Sequence, residues 1–213
     1  MYLALLIALV VHEYMHALVG YLLGDETAKR MGRLTLNPLV HADMVGTVIL
    51  PLMAIISNFP VIGWAKPVPF NPYNLRNQKW GPTLVAIAGP LSNFGMAAIF
   101  LVVLKLLLIV GNFPVYNLLT IFLGYLVIIN VVLGIFNFIP IPPLDGSKIL
   151  SALLDAPKYR RFLLLLETRG PMIILFVIML DLLSPVPFLG AIFGSAVNFT
   201  FSLAGLRYLL GVL

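Results

Sequence analysis

Apolar residues occupy this chain in long blocks, and polar residues collect in the gaps between them. A block of about 20 apolar residues is long enough to cross the hydrocarbon core of a membrane as a helix. The first block is residues 1–23, the second 83–110, the third 116–139 and the fourth 171–189. A last apolar stretch, 190–213, is expected to cross again or to lie as a hairpin against the bundle. The gap 24–82 is mixed: RMGRLTL reads as a short strand, and an apolar run at 45–59, broken by Pro51, is short for a span. The pattern predicts an all-α polytopic membrane protein. It has three core helices and one or two C-terminal transmembrane helices, with a small β-strand and re-entrant loop region after the first helix.

Composition supports that reading. The chain of 213 residues is 61% hydrophobic and only 10% charged, with a mean hydropathy of +1.06, whereas soluble domains are about a quarter charged. Sixteen prolines and seventeen glycines imply broken helices and tight loops. There is no cysteine, which excludes a disulfide framework and a thiolate metal site. No internal repeat or low-complexity tail divides the chain, so residues 1–213 read as one membrane domain. No nucleic-acid partner is expected. No cleavable leader is expected either, because the first apolar block carries the chain's most unusual polar residues.

The net charge of +5 says less than its placement. The gap 24–82 holds Lys29, Arg30, Arg33, Lys66, Arg76 and Lys79; residues 140–170 hold Lys148, Lys158, Arg160, Arg161 and Arg169; the link 111–115 holds none. Positive loops stay on the cytoplasmic side, so 24–82 and 140–170 are expected there. A crossing at 45–59 would move three of those positive charges outside, which favours a re-entrant or interfacial loop.

Within the first block, HEYMH places His12, Glu13 and His16 among residues that belong in hydrocarbon. Ionisable groups there are costly and usually functional. Histidines at i and i+4 share one helix face and can hold one metal, with Glu13 beside them to take a proton from metal-activated water. A hydrolytic zinc site needs a third protein ligand. The candidates are His41, the one other histidine, and Asp145, which follows the third block in FNFIPIPPLDG. Pro140, Pro142, Pro143 and Gly146 break the helix and let a carboxylate turn inward; the plainer role for Asp145 is to cap a helix starting near Ser147. The charge-derived topology brings the end of the third block to the side where the first ends, which favours Asp145. Asn93, in AGPLSN at the start of the second block, is an amide at membrane depth. It either bonds substrate or an oxyanion, or joins two helices. His41 and Lys66 read as lining the loop's approach to the site or, more simply, as a structural contact and a phosphate-facing charge.

Three motifs in this order resemble the site-2 protease family of intramembrane zinc metalloproteases. His12–His16 matches H-E-x-x-H, Gly89–Asn93 resembles the motif opening the family's middle core helix, and Asn137–Gly146 matches N-x-x-P-x-x-x-x-D-G. MGRLTLNPLVHAD and GWAKPVPFNP are similar to the bacterial and archaeal branch without attached soluble domains. The resemblance covers residues 1–155, which would form a three-helix catalytic core. It implies one zinc ion per chain on His12, His16 and Asp145, Glu13 as general base, and Asn93 as the catalytic amide holding substrate or oxyanion. It also implies a prokaryotic cell membrane location and transmembrane proteins as substrates; the charge placement gives a site facing the cytoplasm, the composition gives the lipid bilayer as surroundings, and homo-oligomerisation stays open. RMGRLTL is the expected edge for pairing with unwound substrate.

There are departures. No PDZ or CBS module is expected from residues 1–213. Eleven residues precede His12, about 16 Å of helix against a core of about 30 Å. That places the site partway into the membrane or implies a trimmed N-terminus. A silent zinc-binding scaffold would not need Glu13. A metal transporter would need polar groups along its path, and only Lys105 and Asp181 add to those of the first block. Another class of polytopic metallopeptidase leaves Asn137–Gly146 without a role.

Overall fold

The computed structural model describes residues 1–57 and 63–213, and in these the chain is helical with no strand. Helix α1 spans Tyr2–Leu22, and Gly24 follows it with φ +107, a conformation that ends a helix at little cost to glycine. Two single-turn helices come next, α2 (Thr27–Arg30) and α3 (Pro38–His41), then a π-helical segment (Met44–Ile49) running into α4 (Leu50–Ile56). Helix α5 spans Gly81–Ile109 and opens on Pro82, whose missing N–H costs nothing in a first turn. The side chain of Asn117 accepts from Leu119 N–H to cap α6 (Leu118–Asn137). Helix α7 (Gly146–Leu153) is short, and α8 (Arg160–Leu183) and α9 (Phe188–Leu203) complete the order.

Four helices are long and apolar enough to cross a membrane among the described residues: α1, α5, α6 and the stretch Pro157–Leu183 containing α8. Helices α1, α5 and α6 pack against one another. Their shared core includes Ala4, Ala97, Leu104, Leu126 and Val127, and α9 adds Val197 and Phe201.

Two expectations change. RMGRLTL is not a strand: residues 31–37 are turns and irregular backbone. The local polar groups bond to their own loop, Arg33 to the Val40 carbonyl and His41 Nε2–H to the Thr35 carbonyl. Among the described residues no second strand lies beside the segment to form a ladder. The fourth helix begins at Arg160 rather than 171, carrying Pro171 in its interior. Leu, Arg and Glu are good helix formers and extend it backwards through RRFLLLLETR. It stops at Leu183 because Pro185 holds Ser184 extended, with ψ 135. The last stretch folds as α9, whose 16 residues reach about 24 Å, short of the hydrocarbon thickness. The chain end then turns back onto α6, where the Tyr125 hydroxyl donates to the Leu213 carbonyl at 2.9 Å. The apolar run 45–59 is helical over 44–56, about 20 Å long; its last two residues lie outside the described residues.

Candidate metal centre

His12 and His16 lie one turn apart in the middle of α1, on the face packed against α5. That packing is possible because α5 presents Gly89: a Cβ there would sit 2.5 Å from His16 Nε2 and 2.6 Å from His12 Nε2. Each imidazole is held from behind through Nδ1. His16 Nδ1 lies 2.7 Å from the Val85 carbonyl, and His12 Nδ1 lies 2.6 Å from Asn93 Oδ1. A carbonyl can only accept, so His16 carries its proton on Nδ1 and directs the Nε2 lone pair forwards.

Asp145 arrives from the other side. The prolines after α6 end that helix, and α7 is tied to α5 by the Thr83 hydroxyl donating to the Lys148 carbonyl at 3.2 Å. Asp145 is the residue before α7, yet its side chain makes no capping bond there. It turns inward instead, with Oδ2 3.1 Å from His12 Nε2 and 3.3 Å from His16 Nε2. The two Nε2 atoms are 3.0 Å apart.

The three atoms form a nearly equilateral triangle. With both imidazole protons on Nδ1, all three present lone pairs to one another, and Asp145 Oδ2 is buried without a hydrogen bond. Such a cluster is electrostatically unfavourable unless a cation lies among its members. Tetrahedral zinc with bonds of 2.0–2.1 Å spaces its nitrogen and oxygen ligands about 3.3 Å apart. The donor set and its spacing therefore fit zinc. His12, His16 and Asp145 are the group of at least three metal-ligating side chains found among the described residues.

The remaining candidates are placed as follows. Glu13 is rotated about 100° around α1 from His12 and stands outside the triangle. Its Oε2 accepts from Val68 N–H at 2.9 Å, in an irregular segment whose Pro67, Val68 and Phe70 line the cavity beside the histidines. His41 is buried in its own loop and is not part of the cluster. Asn93 stands behind His12. It is fully buried, its oxygen faces His12, and its Nδ2 donates to Asn130 Oδ1 at 2.9 Å and to the Ala8 carbonyl at 3.4 Å. Of its two expected roles, the structure shows the one between helices. Sequence reasoning missed Asn130 and Val68. Asn130 had a legible signal, an amide inside an apolar block; a backbone N–H carries none.

Residues 108–180 match peptidase family M50. YwhC of Bacillus subtilis, named provisionally as a zinc metalloprotease, is 39% identical over 152 residues, 70% of this chain and 66% of that protein. Rip2 of Mycobacterium tuberculosis, named in the same provisional way, is 28% identical over 147 residues, 68% of this chain and 54% of Rip2. Rip2 of Mycolicibacterium smegmatis is 28% identical over 156 residues, 73% of this chain and 57% of that protein. The chain thus spans just under two thirds of YwhC and little more than half of the Rip2 proteins. No solved structure matches it.

Proposed function

Since the chain belongs to peptidase family M50, we propose that it is a zinc-dependent endopeptidase cleaving peptide bonds within or near transmembrane segments of other membrane proteins. The observation that carries this reading is the triangle of lone pairs formed by His12, His16 and Asp145, with the Glu13 carboxylate beside it on α1.

His12 Nε2, His16 Nε2 and Asp145 Oδ2 would hold the ion. Zinc bound there supplies an electrophile that polarises the scissile carbonyl and acidifies water. Glu13 takes the proton of the attacking water and passes it to the leaving amine. Val68 N–H fixes one Glu13 oxygen and leaves the other for that transfer. The site opens into a cavity of about 220 Å³ lined by Pro67, Phe70, Val85, Pro143 and Leu144. Its apolar walls suit the side chains of an unwound membrane segment. The positive loops 24–82 and 140–170 support a cytoplasm-facing site, which accounts for water reaching it. We place the whole of residues 1–213 in one membrane-embedded domain.

The test is metal content together with cleavage of a transmembrane peptide by wild type, Glu13→Gln and Asp145→Ala in detergent. Wild type should hold about one zinc per chain and cut. Glu13→Gln should keep the zinc and lose at least about 100-fold in rate, and Asp145→Ala should lose both. A Glu13→Gln protein that cuts normally would overturn the assignment.

A further inference from the structure

We infer that Asn130, on α6, is a positioning residue for the metal centre, acting through Asn93 to set which nitrogen of His12 faces the metal. This rests on the reading of His12, His16 and Asp145 as a zinc site. Asn130 is bonded to none of them.

The argument follows proton direction along a buried chain. Asn130 Nδ2 donates to the Leu126 carbonyl one turn back on its own helix, at 2.8 Å. A backbone carbonyl only accepts, so the amide of Asn130 has one orientation, with Oδ1 turned towards α5. There it accepts from Asn93 Nδ2 at 2.9 Å. The second proton of that Nδ2 faces the Ala8 carbonyl at 3.4 Å. Two acceptors on Nδ2 leave Asn93 Oδ1 as the acceptor for His12, so His12 must protonate Nδ1 and present the Nε2 lone pair. The tautomer of a ligand on α1 is thus set by a main-chain carbonyl on α6, through two amides that are both fully buried.

His16 needs no such relay, because the Val85 carbonyl touches its Nδ1 directly. At His12 the polar partner is an amide, which can accept or donate according to how it is turned. Without Asn130 only the long bond to the Ala8 carbonyl opposes a flip of the Asn93 amide. The flipped amide offers N–H to the ring, favours the other tautomer and turns the Nε2–H into the triangle. Groups that orient metal-ligating histidines typically change metal affinity by about 10–100-fold when removed.

Three variants separate this role from simple packing. Asn130→Leu keeps the size but removes the acceptor. Asn130→Asp, as the neutral acid expected in a buried site, donates O–H to Leu126 and accepts from Asn93. Val127→Ala opens a cavity at a fully buried position on the same helix. Zinc affinity is read by chelator competition, ligand geometry by the visible spectrum of the cobalt-substituted protein, and the tautomer by histidine ¹⁵N spectra of the zinc-free protein. Asn130→Leu should bind zinc about 10–100-fold more weakly with an altered cobalt spectrum, while Asn130→Asp and Val127→Ala stay close to wild type. Zinc-free wild type should show His12 protonated on Nδ1, a measurement that stands even if Asn130→Leu fails to fold. The inference is overturned by an Nε2–H tautomer in wild type, by wild-type affinity in Asn130→Leu, or by equal losses in all three variants. A wild type that binds no zinc would overturn the metal-centre reading as well.

Discussion

Replacing Gly89 by alanine adds one methyl group where α5 passes behind the two histidines. Its carbon would lie 2.5 Å from His16 Nε2 and 2.6 Å from His12 Cε1 and Nε2. Favourable contact needs about 3.5 Å, so the rings or the helices must separate by about 1 Å. The rings cannot swing aside freely, because each is held at Nδ1, by Val85 and by Asn93. A metal site tolerates about 0.2 Å in its ligand distances, so a displacement of about 1 Å dismantles it. The fold itself should survive, since overpacking by one methyl costs about 1–3 kcal/mol. We therefore expect Gly89→Ala to remain folded and to lose at least about 100-fold in zinc affinity, more than removal of an orienting group usually costs. Chelator competition reads the affinity, and circular dichroism of the zinc-free protein reads the fold. Wild-type affinity in a folded Gly89→Ala protein would refute the close packing of α5 against the histidines.

Zinc removal should lower thermal stability: metal at 100 times its Kd adds about 2.7 kcal/mol, and in thermal unfolding Asp145→Ala should show no zinc-dependent shift. Asp25 gives a pH dependence outside the spans. Burial pushes its carboxyl up, but bonds from the Thr27 hydroxyl, the Asn74 amide and the Asn71 and Thr27 N–H groups outweigh this and hold it below the usual 3.8. A lowered folded-state pKa stabilises above the unfolded value and is lost as pH falls through the folded one. Melting scans from pH 7 to pH 3 should therefore fall more steeply for wild type than for Asp25→Asn, and parallel curves would refute it. At Gly170, a Cβ would run into the Pro142 carbonyl in the loop that carries Asp145. Gly170→Ala should lower the melting temperature and weaken zinc binding several-fold, while no change in either would show that α8 does not brace that loop.

Much was legible in the sequence because hydrocarbon imposes a simple rule: backbone groups must bond within their own helix, so length and apolarity alone mark the spans. The bounds of α1, α5 and α6 follow from that rule to within about two residues, inside the usual scatter of helix ends. The H-E-x-x-H spacing is local helix geometry and needs no fold to be read. RMGRLTL was misread because a strand is a pairing, and the sequence of one segment does not show whether a partner is near. The start of α8 was misread because Pro171 signals a break that a long membrane helix can absorb. What the sequence alone determined is the position of the first three long apolar spans and the residues able to ligate a metal. Only the tertiary structure places Asp145, and not His41, beside the two histidines, sets Asn93 behind His12 with Asn130 behind it, and brings Val68 N–H to Glu13. Those choices depend on which helices touch and how buried amides turn, and both are set by packing between segments 37 to 133 residues apart.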